Sequence, residues 1–202
     1  MHEPWLWRSS FLSHQQTLWQ GGAAIRLPHE IAPHFTMKTL LLLRHAKSDW
    51  SDPQLSDHER VLNKRGRRSA PAIGNWISLQ GLAPDQILSS DSARTMETWD
   101  RTGLEGSPDF HPSLYLAEAQ TMLFTLSGAT GDRVMMIGHN PGIGAMAEGL
   151  VATPPDNPRF MQYPTAALSV IDFPIKKWSD VEWGSGTIRA FVTPHQFGIG
   201  AN

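Results

Sequence analysis

The chain has 202 residues, 17 Lys and Arg against 19 Asp and Glu, and a formal net charge of -2. Such a balance leaves no electrostatic footprint for nucleic acid or an anionic membrane surface. The complete lack of cysteine excludes disulfides, thiolate nucleophiles, thiolate zinc sites and iron–sulfur clusters, and it fits a reducing compartment, so a cytoplasmic location is expected. With 40% hydrophobic and 18% charged residues, the composition is that of one globular domain with a substantial core. The longest apolar run, Leu40 to Leu43, is too short to span a bilayer, and Arg44 and His45 end it too soon for a signal-peptide core.

Residues 1–36 carry Trp5, Trp7 and Trp19, four histidines and scattered prolines without helix or strand periodicity. The character changes at Met37, so residues 37–202 read as the domain and residues 1–36 as an N-terminal extension or translated leader. From there apolar runs alternate with helical stretches, the pattern of a three-layer α/β/α sandwich around a mostly parallel sheet. Strands are expected at Thr39–Leu43, Gln86–Leu88, Val134–Ile137, Ala166–Ile171 and Thr187–Val192. Asn63 should cap a helix from Lys64 towards Leu79, with Pro71 as a kink or early break. Ser92 should cap a helix over Ala93–Thr102, ended by Gly103. Another helix is expected over Ala119–Leu126, and a fourth from Pro141 with Asn140 as its cap. Thr153–Pro164, with four prolines, reads as a loop.

Three polar clusters share one address in this scheme. Arg44 and His45 follow the first strand, Arg94 follows the second after Ser89-Ser90-Asp91-Ser92, and His139 follows Val134–Ile137. The C-terminal strand ends of an open parallel sheet form its usual ligand edge. Two guanidinium groups and two imidazoles converging there, with no metal-type carboxylate beside them in the sequence, make an anion site, and phosphoryl oxygens match guanidinium forks in bidentate fashion.

These blocks resemble the histidine phosphatase superfamily, phosphoglycerate mutase-like in fold. Leu43-Arg44-His45-Ala46 is similar to its Arg-His-Gly/Ala signature, Ser89 to Thr98 to its second block, and Gly138-His139-Asn140-Pro141 to its third. Arg44-His45-Ala46-Lys47-Ser48, and Asp57 to Ala70 with Arg60 and Asn63-Lys64-Arg65-Gly66-Arg67-Arg68, resemble the SixA-type phosphohistidine phosphatase branch. The resemblance implies that His45 attacks phosphorus in line and becomes a phosphohistidine, that Arg44 and Arg94 neutralise the phosphoryl oxygens, and that His139 donates to the same oxygens. No metal or cofactor is implied. His45 must be neutral, and the neighbouring arginines should push its pKa down.

Expelling an alkoxide needs a proton donor, for which Glu118 in Tyr115-Leu116-Ala117-Glu118-Ala119 is the candidate. A phosphohistidine substrate relaxes that need, because imidazole leaves more readily. The expected partner is therefore a phosphorylated substrate, a phosphohistidine protein first and a small phosphate ester second. A non-catalytic phosphoryl-binding module has no use for the intact His45. Ser48 and Arg60 are auxiliary phosphate ligands in this reading, Trp50 a candidate pocket wall, and Lys64, Arg65, Arg67 and Arg68 a solvated helix face. Considered alone, Arg94 would pair with Glu97. His29 and His34 have one residue too many between them for a zinc-protease helix, which Pro33 also breaks. Neither a Walker lysine nor a dinucleotide glycine fingerprint is present. The sequence carries no signature of oligomeric state.

Overall fold

A computed structural model describes residues 37–200; the expected extension over residues 1–36 lies outside the described residues. Lys38–Arg44 forms β1, and its leucine run explains the architecture. Successive strand side chains point to opposite faces, so Leu40 and Leu42 enter one apolar cluster while Leu41 and Leu43 enter another. Only a strand covered on both faces makes an unbroken leucine run favourable.

One cover consists of α1, Lys64–Leu79, and α2, Ala93–Thr102, supplying Ala70, Ile73, Ile77 and Trp99. The other consists of α3, Ala119–Ser127, and α4, Gly142–Leu150, supplying Met122, Leu126, Ile143 and Met146. The remaining strands are β2, Gln86–Ser89; β3, Asp109–Phe110; β4, Arg133–Gly138; β5, Leu168–Phe173; and β6, Thr187–Val192. Their order across the sheet is β3-β2-β4-β1-β5-β6. The pairs β3·β2, β2·β4 and β4·β1 are parallel, whereas β5 runs antiparallel to both β1 and β6. The α/β/α sandwich thus holds, with β5 as its reversed strand. Among the described residues, no helix is long and apolar enough to cross a membrane.

Several local expectations are corrected. Helix α1 starts at Asn63, whose side chain accepts from the Gly66 amide at 2.9 Å, but it runs on past Pro71. The carbonyl that proline leaves without a partner belongs to Arg67, on an exposed flank. Ser92 occupies the cap position of α2, yet its hydroxyl lies 2.9 Å from Thr95 Oγ1 and bonds no helix amide. Pro141, not Asn140, takes the cap position of α4; the Asn140 amide instead donates to the carbonyls of Gln162 and Tyr163 at 3.2 Å. Strand β3 was not expected, since two exposed residues on an edge carry no periodicity.

Candidate active site

Strands β1 and β4 are neighbours in register, Arg44 opposite Gly138. Their ends therefore bring His45 and His139 together, with ring centroids 5.1 Å apart. The amide of His45 donates to Gly138 O, and that of Arg44 to Ala167 O, both at 3.0 Å. Beyond β1 the loop is held from α2: Thr98 Oγ1 accepts from the Ala46 amide at 3.0 Å and donates to Arg94 O at 2.6 Å. From the other side Gly66, in the first turn of α1, presses on it so closely that a Cβ there would lie 2.3 Å from Lys47 O.

A cavity of about 210 Å³ opens at this edge, lined by Arg44, His45, Lys47, Ser48, Trp50, Asp57, Arg94, Leu116 and Thr165. The His45 ring is buried, and its Nδ1 lies 2.7 Å from Ala46 O. A carbonyl oxygen can only accept, so Nδ1 carries the proton and the lone pair resides on Nε2. Burial chiefly, then the charges of Arg94 and Arg44, lowers the His45 pKa to about 3 against the opposing pull of the Ala46 carbonyl. The ring is neutral as expected, but desolvation leads and the arginines follow. His139 is lowered in the same direction, first by burial, then by His45 and Arg94. Its Nε2 is 2.9 Å from Ser90 Oγ, while its buried Nδ1 has no partner.

Arg44 donates through Nη1 to Tyr163 O at 2.8 Å, and its buried Nε has no acceptor. Arg94 is not paired with Glu97, which instead binds Arg67 at 2.8 Å, Arg101 at 2.6 Å and the Leu62 amide at 2.7 Å. Its partner is Asp57: Nη1 donates to the backbone carbonyl and Nη2 to Oδ2 at 2.8 Å. Tyr115 donates its hydroxyl to the same Oδ2 at 2.7 Å. Partial desolvation works to raise the Asp57 pKa, but the Tyr115 hydroxyl and the Arg94 charge outweigh it, and the net shift is downward. The Asp57 loop is itself pinned, with His58 O accepting from the Ala93 amide at 3.0 Å and His58 Nε2 lying 3.0 Å from Asp91 Oδ1.

The structure brings Arg44, His45, Arg94 and His139 to one place. Ser48 lines the cavity too, although its hydroxyl accepts from Trp50 Nε1 at 3.0 Å, and Trp50 forms part of the wall. Arg60 does not line it. Its guanidinium is spent on the carbonyls of Asp52 and Leu55, at 3.0 and 3.1 Å, and stacks 4.3 Å from the Trp50 ring centroid. Glu118 is exposed at the start of α3, makes no side-chain hydrogen bond and is absent from the lining. Its neighbour Leu116, at φ 48°, faces the cavity instead. Asp57 and Tyr115 went unread in the sequence as site residues. An acid just ahead of Arg60 and an aromatic ahead of Glu118 were the available signals, but neither fixes a direction.

A model of the histidine phosphatase superfamily (branch 1) matches residues 40–120. A chain from Nakamurella multipartitia assigned to the SixA phosphohistidine phosphatases superposes with a TM-score of 0.69 at 25% identity, covering 78% of this chain and 96% of that one. A similarly assigned chain from Agrobacterium tumefaciens gives 0.63 at 26% identity, with 78% and 98% covered. An uncharacterised protein of Mycobacterium leprae is 28% identical over 162 residues, 75% of this chain and 99% of its own. The match over residues 40–120 and these superpositions make the chain similar to the histidine phosphatase superfamily and support a phosphatase, a hydrolase of phosphorylated substrates. The likeness extends in particular to the chains assigned to the SixA-type branch.

Proposed function

We propose that the protein dephosphorylates phosphohistidine on a protein substrate through a covalent phospho-His45 intermediate. His45 Nε2 attacks phosphorus while the bond from phosphorus to the substrate's imidazole nitrogen breaks, and the departing nitrogen takes its proton from solvent. Water then attacks phospho-His45, releases inorganic phosphate and restores the neutral ring. Arg44, through its unpartnered Nε, and Arg94 would balance the charge on the phosphoryl oxygens. His139, with Ser90 beside Nε2, has Nδ1–H available for the same oxygens.

The observation that carries the substrate class is the state of the cavity's carboxylate. Among the described residues, Asp57 is the one acid that lines the cavity, and Arg94 and Tyr115 hold it ionised. An ionised carboxylate cannot protonate an alkoxide, and Glu118 does not line the cavity. A site without a proton donor favours a leaving group that needs little help. The same point counts against a small-molecule esterase using Glu118.

Two experiments test this. Brief incubation with a labelled phosphohistidine peptide should trap an acid-labile, base-stable phosphoenzyme that is missing in His45→Asn; label retained in that variant would end the proposal. Turnover of the peptide should exceed that of alkyl phosphates by orders of magnitude, and comparable rates would refute the leaving-group reading.

A further inference from the structure

A second concavity, of about 80 Å³, lies beside the catalytic cavity, and Thr165 faces both. Arg65, Ser69, Arg159, Thr193 and His195 contribute to its lining, which contains no carboxylate. Two residues along α1, Arg67 is paired with Glu97, and Arg101, Arg94 and Arg189 each have an acidic partner. Arg65 and Arg159 form no side-chain hydrogen bond or ion pair among the described residues. The Ser69 hydroxyl donates to Arg65 O at 2.9 Å, and the Thr193 side-chain oxygen accepts from the turn that follows it. The open charged donors here are the two guanidinium groups, with His195 and the Thr165 and Thr193 hydroxyls beside them. Two like charges around one depression repel each other until an anion enters.

The wall between the two concavities is fixed to the catalytic loop. The Ala166 amide donates to the carbonyls of both Arg44 and His45, at 3.2 and 3.0 Å, and Tyr163 O holds the Arg44 guanidinium. Tyr163 and Ala166 both have positive φ, 42° and 58°, a conformation costing roughly 1 kcal/mol or more each for a residue with a side chain. A group bound beyond Thr165 therefore stands in a constant relation to the phosphoryl site.

We propose that this second concavity is an oxyanion subsite that receives a carboxylate side chain lying near the phosphohistidine of the protein substrate; the inference rests on the reading in the preceding subsection. The rim residues Arg65, Arg159 and His195 are exposed, so the depression is reached from outside the molecule. A folded or extended polypeptide can lay one anion on each side of the Thr165 wall, which a compact bisphosphate must bridge.

The test compares two phosphohistidine peptides that differ in flanking residues, Asp and Glu in one, Ser and Gln in the other. Replacing both arginines, Arg65→Ser with Arg159→Ser, should raise KM for the acidic peptide about fivefold, as expected for two exposed ion pairs. The value of kcat, and both constants for the neutral peptide, should stay unchanged. The acidic preference of the unaltered protein should also fade in high salt. An equal change for both peptides, or none for the acidic one, overturns the proposal. So does an effect confined to a small bisphosphorylated ester. Competition by the same peptides against hydrolysis of p-nitrophenyl phosphate reads binding alone. Peptides that bind with the acidic preference but are never hydrolysed would refute the phosphohistidine reading and uphold the subsite.

Discussion

The floor and the rim of the catalytic cavity are built differently. The floor consists of Arg44 and His45, with the buried His139 behind them, set at the ends of adjacent strands whose register is fixed by a core buried on both faces. The rim consists of Trp50, Asp57 and Leu116 on connecting segments that are held by side-chain bonds to one another. The floor is a consequence of the fold. The rim is a network that single substitutions can dismantle while leaving the sheet intact, and disturbing each in turn separates chemistry from positioning.

The floor should be the more sensitive. His45→Asn removes the attacking nitrogen and should reduce kcat by at least about 10³-fold, in the manner of other nucleophile deletions; single-turnover kinetics on a phosphohistidine peptide measures it. The same ring carries an acid-stability effect. Its folded pKa, near 3, lies below an unfolded value of about 6.5, so between these limits the unfolded chain binds the extra proton. Stability should therefore fall as pH drops through that window, by roughly 1 kcal/mol per pH unit for this histidine. Thermal melts at pH 7 and pH 5 should show a smaller difference for His45→Asn than for the unaltered protein. Activity, by contrast, should not be lost through protonation of His45 between pH 7 and 5.

In the rim, Asp57→Asn removes the charge that aims Arg94 and should lower kcat about 10- to 100-fold, the scale of a displaced catalytic group. Phosphoenzyme should still form, slowly. Loss as complete as in His45→Asn would mean that Asp57 does more than position. Arg60→Ala releases Trp50 and the Asp52 and Leu55 carbonyls, and should raise KM roughly threefold with little change in kcat, since weakly exposed contacts of this kind are worth under about 1 kcal/mol. Glu118→Gln should change either constant by less than about twofold, as surface substitutions do. A large effect there would restore Glu118 as the acid and reverse the substrate assignment.

The same division explains what the sequence disclosed. Leu40 to Leu43 could only be a strand covered on both sides, and Arg44 and His45 inherit their place from it. Gly138-His139 follows another buried run for the same reason. Arg60 and Glu118 lie outside the lining, and a residue's distance along the chain from a motif says nothing about which way a loop turns. Arg60 turns to carbonyls five and eight residues before it, and Glu118 is exposed outside the lining while Leu116, in a left-handed conformation, lies within it. Asp57 meets Tyr115 across 58 residues, a pairing with no local signature. Pro71 was overread, since an exposed helix flank tolerates the missing amide bond.

Tyr163 touches two worlds at once. Its hydroxyl donates to Leu42 O and lies 2.9 Å from Ser169 Oγ in the middle of the core, while its carbonyl holds Arg44. A fault in the packing around Ser169, far from any solvent, would thus reach the surface as weaker grip on phosphate before the fold itself gave way. On the proposed function, affinity for inorganic phosphate becomes a strain gauge for the interior.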